Sequence, residues 1–159
     1  MKINIYLSSQ SLELCDDAGR VLGSYAVSTS EKGAGEISGS MQTPRGKHVI
    51  RAKIGEGCPE NAVFRGRRPT GEIYTDELGA RFPGKDWILT RILWLSGCEL
   101  GYNRLGNCDT MRRYIYIHGT PESEPMGTPK SHGCIRMRNA DLIALFDAVP
   151  VGTLVEIIE

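Results

Sequence analysis

Short segments in which apolar and polar residues alternate constrain this chain more than any other feature. Residues 3–7 place Ile3, Ile5 and Leu7 on one face, and residues 11–15 repeat the pattern. A two-residue period is typical of half-buried strands, and turns rich in Asp, Gly or Pro separate the segments. Further strands are predicted at 20–27, 47–54, 113–119 and 154–158. We therefore expect a mostly β domain, a sandwich or a half-open barrel built from antiparallel neighbours.

Three other segments do not show this alternation. Residues 87–95 are nearly continuously apolar, which fits a strand buried on both faces or a short core helix, and we favour the strand. Asn139 is expected to cap a short helix that Pro150 closes. Residues 55–86 contain six glycines and three prolines, and they predict a long excursion. We interpret residues 1–159 as one domain with a loop or lid region at about 55–110.

Length and charge exclude several classes of protein. A chain of 159 residues fits one domain, and its 19 basic and 19 acidic residues give a formal net charge of zero. This balance argues against nucleic-acid binding. No stretch approaches the roughly 18 apolar residues of a membrane helix, and the first residues lack the apolar core of a signal peptide. We expect a cytoplasmic protein with no nucleic-acid partner and no membrane segment.

The chain has five cysteines at positions 15, 58, 98, 108 and 134. Their number is odd and their spacing contains no CxxC pair, so a zinc cluster is not expected. In an oxidising compartment Cys98 and Cys108 could bridge a loop, and this pairing is left open. In a cytoplasmic protein free, mostly buried thiols are expected.

Residues 114–139 contain the candidate chemistry. Two of the three histidines lie here, at His118 and His132, and Cys134 follows the second by two residues. A cysteine attacks as the thiolate, so it needs a nearby base. His118 ends a predicted strand, on the face opposite the strand's isoleucines, and could face Cys134. Gly133 lets the backbone approach closely, so that consecutive N–H groups could form an oxyanion hole. Arg136 would point to the same side as Cys134 and could hold a substrate carboxylate.

The alternative is that Cys134 is an ordinary buried thiol and that both histidines only satisfy hydrogen bonds. The gathering of these residue types in one turn-rich segment favours a cysteine acyl-transfer enzyme instead. The residue types alone do not define a substrate.

The motifs in this segment resemble those of a known family. His118-Gly119-Thr120 and the run Ser131–Met137 are similar to the signature of the L,D-transpeptidase (YkuD-type) catalytic domain. The turn Thr43-Pro44-Arg45-Gly46 resembles the TPxG turn of that family. The resemblance spans residues 3–158 and implies a β-sandwich with one short helix after the catalytic cysteine. The 55–110 region lies where the family carries a substrate-covering lid.

The resemblance also implies roles for individual residues. Cys134 would be the nucleophile, His118 the general base, and the Gly119 carbonyl would orient the imidazole. The backbone amides of residues 132–134 would bind the oxyanion. The expected oxyanion and substrate-binding residues are Ser131, His132, Gly133, Arg136 and Tyr116. The resemblance implies no metal and no organic cofactor.

The implied substrates are peptidoglycan stem peptides. The family attacks the bond after the L-centre of the third stem residue, usually meso-diaminopimelate, and expels terminal D-Ala through a thioester. An amine acceptor gives a 3→3 crosslink, whereas water gives L,D-carboxypeptidase activity. Carbapenems are expected to acylate the same cysteine.

The expected location decides between these outcomes. A cytoplasmic enzyme meets soluble muropeptides and water, which predicts an L,D-carboxypeptidase of cell-wall recycling. The alternative is a periplasmic L,D-transpeptidase whose sequence here is trimmed. A catalytically idle murein-peptide-binding module is a further alternative. A papain-like protease is disfavoured, because that family places its cysteine before its histidine.

Overall fold

The structure, a computed structural model, describes residues 1–159 and contains ten strands and two helices. The strands are β1 (Lys2–Tyr6), β2 (Ser11–Cys15), β3 (Val21–Ser28), β4 (Gly46–Ile54), β5 (Ala62–Arg65), β6 (Arg68–Ile73), β7 (Ile88–Gly97), β8 (Tyr116–Gly119), β9 (Ile135–Met137) and β10 (Leu154–Ile158). The helices are α1 (Asp76–Arg81) and α2 (Asn139–Ala148). Neither helix has the length and apolar character needed to span a bilayer.

All ten strands belong to one sheet, in the order β4-β10-β1-β2-β3-β9-β8-β7-β5-β6. Strand β4 also pairs with β7, so eight strands close into a ring and the β5–β6 hairpin extends from it. Closure is possible because β7 is long: its first residues pair with β5 and its last six with β4. Most of the buried apolar residues form a main core of 18 residues, with smaller clusters of four and three beside it. The prediction of a mostly β, sandwich-type fold with a short helix is confirmed.

Most of the predicted strands are present. The segment 87–95 forms strand β7 rather than a helix, and its residues are buried on both faces. Most neighbours are antiparallel, as expected, but β1 pairs with β10 and β8 with β9 in parallel. The 55–86 excursion contains β5, β6 and α1, which the sequence pattern did not indicate. Every residue of β6 is exposed, so it has no apolar alternation from which it could be predicted.

Helix α2 packs on the main core of 18 buried residues through Leu142, Leu145 and Phe146. The prediction that Asn139 caps this helix is wrong. Arg138 is the N-cap residue, and no side chain makes a capping hydrogen bond. Asn139 is the first helical residue, and its fully buried amide is directed into a polar network behind strand β8. The network satisfies the buried amide, so it is not available to the helix end.

The five cysteines are all free thiols. Cys98 is exposed and Cys108 is buried, and no disulfide joins them. The expectation of free thiols agrees with the structure, but the expectation that they are mostly buried is wrong, because only Cys15 and Cys108 are buried.

Candidate active site

The site is built on the two parallel strands β8 and β9. His118 lies opposite Arg136 in their register, and Cys134 immediately precedes β9, beside Tyr116. Because side chains alternate along a strand, these four residues share one face. The opposite face, which includes Ile117, is buried in the main core. The expectation that His118 and Arg136 face the same side as Cys134 thus corresponds to the observed geometry.

The thiol of Cys134 is hydrogen-bonded to backbone groups of the neighbouring segment, residues 114–116. Its sulfur accepts a hydrogen bond from the Tyr116 amide and donates to the Tyr114 carbonyl, each at 3.3 Å. The side chain packs against an apolar cluster that includes Phe64 and Ile92. Burial raises the pKa of the Cys134 thiol to about 12. The resting nucleophile is therefore a neutral thiol at pH 7.

His118 is fully buried and has a defined tautomer. Its Nδ1 lies 2.7 Å from the Gly119 carbonyl oxygen. A carbonyl only accepts, so Nδ1 carries the proton and Nε2 keeps its lone pair. Nε2 is buried and makes no hydrogen bond. Burial lowers the pKa of His118, against the opposing effects of Asp86 and the Gly119 carbonyl. The ring is a neutral imidazole with a free basic nitrogen on the face that carries the thiol.

Gly119 is required by packing rather than by its backbone angles. A methyl group at this position would lie 2.6 Å from the Leu89 carbonyl oxygen and closer still to Oδ1 of Asn139. That amide oxygen accepts from the Thr90 hydroxyl at 2.7 Å, and the amide nitrogen donates to the Thr120 carbonyl at 3.0 Å. This buried network supports the strand end whose carbonyl orients His118.

The loop before Cys134 is fixed by two hydroxyl groups. Ser131 Oγ donates to the Cys134 carbonyl at 2.6 Å and accepts from the Gly133 amide at 3.2 Å. The Thr43 hydroxyl donates to the Gly133 carbonyl at 2.9 Å. Gly133 has a φ of 131°, which side chains of L-residues rarely adopt. The amides of His132 and Cys134 make no hydrogen bond within the protein. Two of the three expected oxyanion donors are therefore free.

The guanidinium of Arg136 forms ion pairs with two acidic side chains of the protein. It is 5% exposed, and its guanidinium contacts Asp86 at 2.8 Å and Glu124 at 3.4 Å. The second carboxylate oxygen of Asp86 lies 3.3 Å from His132 Nδ1. Burial alone would raise the pKa of Asp86, but the nearby Arg136 and His118, with the hydrogen bonds from Arg136 and His132, outweigh it and lower that pKa. Sequence reasoning missed Asp86, because nothing in its neighbourhood along the chain signals a contact 50 residues away.

The β5–β6 hairpin reaches the other side of the thiol. Its two-residue turn, Gly66-Arg67, has positive φ at both positions, as tight hairpins favour. The Arg67 guanidinium lies 4.8 Å from the ring centres of both Trp94 and Tyr114. It also donates to the Tyr116 hydroxyl at 3.0 Å. The expected site residue Tyr116 is thus buried beneath the guanidinium of Arg67.

A neutral imidazole and a thiol on one face of a closed β-sheet, beside free backbone amides, define the class: cysteine-dependent acyl-transfer enzymes. Residues 1–157 match the model of the YkuD family, described as the L,D-transpeptidase catalytic domain. The chain belongs to this family, as its motifs indicated.

Comparisons with individual proteins agree with this assignment. L,D-transpeptidase YqjB of Bacillus subtilis is 32% identical over 136 residues, which cover 86% of this chain and 59% of that protein. The L,D-transpeptidase of Xylanimonas cellulosilytica superposes with a TM-score of 0.56 at 22% identity, over 98% of this chain and 59% of that one. L,D-transpeptidase 3 of Mycobacterium tuberculosis, solved with a faropenem-derived adduct, gives 0.60 at 16% identity, over 99% and 59%. At these low identities the two structures support the fold alone. The chain spans less than two thirds of each of these proteins.

Proposed function

We propose that this protein is an L,D-carboxypeptidase that removes terminal D-Ala from peptidoglycan stem tetrapeptides through a thioester on Cys134. The bond cleaved joins the L-centre of meso-diaminopimelate to D-Ala. The observation that carries the proposal is the tautomer of His118. Its Nδ1–H is committed to the Gly119 carbonyl at 2.7 Å, which leaves Nε2 as an unpartnered base on the face of the thiol.

Acylation begins with a neutral pair. As the sulfur of Cys134 attacks the scissile carbonyl carbon, Nε2 of His118 takes the thiol proton. The carbonyl oxygen becomes an oxyanion, and the free amides of His132 and Cys134 donate to it. The tetrahedral intermediate then collapses, the C–N bond breaks, and the leaving amine of D-Ala takes the proton from the imidazolium.

Deacylation repeats the same proton transfers with water as the acceptor. Nε2 of His118 removes a proton from water as the oxygen attacks the thioester carbon. The C–S bond breaks, and the thiolate of Cys134 recovers its proton from the imidazolium. The products are the tripeptide acid and the free enzyme. The negative charge of Asp86 near His118 stabilises the imidazolium that both steps form.

The direct test is mass spectrometry after incubation with a soluble meso-diaminopimelate tetrapeptide. A tripeptide product that is lost in Cys134→Ala supports the proposal. Cys98→Ala, which removes an exposed thiol far along the chain, is the control and is expected to retain activity. An absence of turnover, together with a thiol that is unreactive towards a carbapenem, would overturn the enzymatic proposal.

The same assay addresses the alternative of a crosslinking L,D-transpeptidase, the activity for which YqjB of Bacillus subtilis is named. Adding a free amine acceptor such as a D-amino acid offers aminolysis in competition with hydrolysis. Dominant amine-exchanged product would replace the carboxypeptidase with a transpeptidase. If the protein is a murein-peptide-binding module instead, Cys134→Ala should keep both peptide affinity and function in cells.

The cytoplasmic location stays a prediction, and fractionation of cells that express the natural reading frame tests it.

A further inference from the structure

A small cleft of about 210 Å³ opens beside the loop that precedes Cys134. Its lining residues come from three segments: Ser38, Gly39, Met41, Arg113, Ile115 and His132. Gly133 borders it, since a methyl group there would lie 3.4 Å from the Ile115 side chain. The cleft therefore adjoins the free amides that are positioned to bind the scissile carbonyl.

The charge in this cleft belongs to Arg113. One guanidinium nitrogen donates to the carbonyls of Gly35 and Glu36, each at 3.2 Å, and the other donates to the Gln42 carbonyl at 2.6 Å and to a serine hydroxyl at 3.4 Å. All four acceptors are neutral. The Glu36 carboxylate itself is ion-paired with Arg45 at 3.0 Å. The half-buried charge of Arg113 thus has no carboxylate of the protein bound to it.

Two of the other lining residues, Ile115 and Met41, form an apolar patch, whereas Ser38 and His132 are polar. Ile115 is buried, and Met41 is 41% exposed at the rim. A positive charge beside a small apolar patch suits an amino acid that carries a free carboxylate and a short alkyl side chain. Resting on the proposed function, we propose that Arg113 binds the C-terminal carboxylate of the leaving D-Ala and so selects substrates that end at that residue.

Proximity favours the terminal carboxylate over the side-chain carboxylate of diaminopimelate. The leaving residue is directly bonded to the scissile carbonyl, and the cleft borders Gly133 within the loop that receives this carbonyl. The four hydrogen bonds of Arg113 use its two terminal nitrogens, and only its Nε–H has no partner. A carboxylate would accept from Nε–H or replace one of the longer contacts to a neutral group, and the new bond would be charge-assisted. Arg113 is then a specificity-determining residue that acts on the substrate itself.

The test compares two tetrapeptides that differ only in a terminal carboxylate or carboxamide. For the wild type we expect kcat/KM to be about 10- to 100-fold lower on the carboxamide, as for loss of a charged hydrogen bond. Arg113→Met should cleave both peptides at the same low rate, and Arg113→Lys should recover part of the preference. Arg112→Met, at an exposed neighbour whose side chain makes no hydrogen bond, should keep the wild-type ratio. Because each ratio is measured within one variant, a general loss of folded protein cancels.

A third peptide, amidated at the side-chain carboxylate of diaminopimelate, separates the two carboxylates. If this change alone lowers the wild-type rate and Arg113→Met removes the effect, the assignment to the terminal carboxylate is overturned. Equal cleavage of the terminal acid and amide by the wild type also overturns it. Absence of turnover for every peptide would instead refute the proposed function, which is a distinguishable result.

Discussion

The carboxylate of Asp86 lies 2.8 Å from the guanidinium of Arg136, and it joins the segment before β7 to the strand that follows the nucleophile. The Arg136 side chain is 6% exposed, whereas that of Asp86 is 35% exposed. Asp86 therefore lies between the buried guanidinium of Arg136 and the solvent, at the edge of the site. The same carboxylate contacts His132 and acts electrostatically on His118. Asp86 is thus a positioning residue for three of the residues that the sequence motifs identify.

Asp86→Asn is expected to destabilise the protein by about 1–3 kcal/mol, because a buried guanidinium loses its charged partner. The pKa of Asp86 is lowered from 3.8, so its stabilising effect is present above that pH and is lost as pH falls below it. Denaturant unfolding at pH 7 and at pH 3 should therefore show a smaller difference in the variant. Asp147→Asn, at an exposed position of α2, is the control. Equal stability of both variants at pH 7 would contradict the role of Asp86.

Alkylation of Cys134 is expected to be slow at pH 7 and to accelerate about tenfold per pH unit up to pH 10, because only the thiolate reacts. The pKa of about 12 places the whole of this range below the midpoint. Peptide-level mass spectrometry after timed iodoacetamide treatment measures the rate at each pH. The exposed Cys98 provides an internal reference in the same sample. A rate that levels off near neutral pH would show a resting thiolate–imidazolium pair and refute the neutral one.

Gly119→Ala is expected to lower both stability and activity, because its methyl group would overlap the Leu89 carbonyl and the Asn139 amide. Overpacking of this kind costs about 1–3 kcal/mol, and the displaced carbonyl would no longer orient His118. Thermal unfolding and kcat measure the two effects. Gly23→Ala in β3 is a matched control, since its methyl group meets only the movable end of the Tyr25 side chain. Similar effects of the two substitutions would argue against a special role for Gly119.

His48 is expected to make the fold sensitive to acid. It is fully buried, with Nδ1 at 3.0 Å from the Gly46 carbonyl and Nε2 at 2.9 Å from the Thr110 hydroxyl. Burial lowers the pKa of His48 from 6.5 to about 4. Between these two pH values the unfolded chain therefore binds a proton at His48, whereas the folded protein does not. Stability is therefore lost as pH falls from 6.5 towards 4, by about 3 kcal/mol in total.

His48→Gln keeps a donor and an acceptor at this position but does not titrate. Urea unfolding at several pH values between 7 and 4 should show a shallower loss of stability in this variant than in the wild type. His118 contributes to the slope in both proteins, so the difference reports His48 alone. Parallel curves for the two proteins would contradict the assignment.

Seven of the ten strands, the sandwich-type fold and the family could be predicted from the sequence, whereas β5, β6 and β9 could not. Strand periodicity is a local property, and the motifs His118-Gly119-Thr120 and Ser131–Met137 each lie within one short segment of the chain. Alternation also placed His118 on the face opposite the isoleucines of its strand, and Arg136 on the same side as Cys134, because each inference requires only one strand. These inferences needed no knowledge of distant segments.

The other contacts at the site depend on how distant segments of the chain pack together. Three features join segments that lie dozens of residues apart. They are the pairing of β4 with β7, the ion pair of Asp86 with Arg136, and the hydrogen bonds of Arg113 to backbone carbonyls. Contacts of this kind leave no periodic pattern in the sequence, because each depends on the path of the whole chain. Asn139 shows the same limit: its position favours a helix cap, yet burial beside Thr90 directs its side chain into the core.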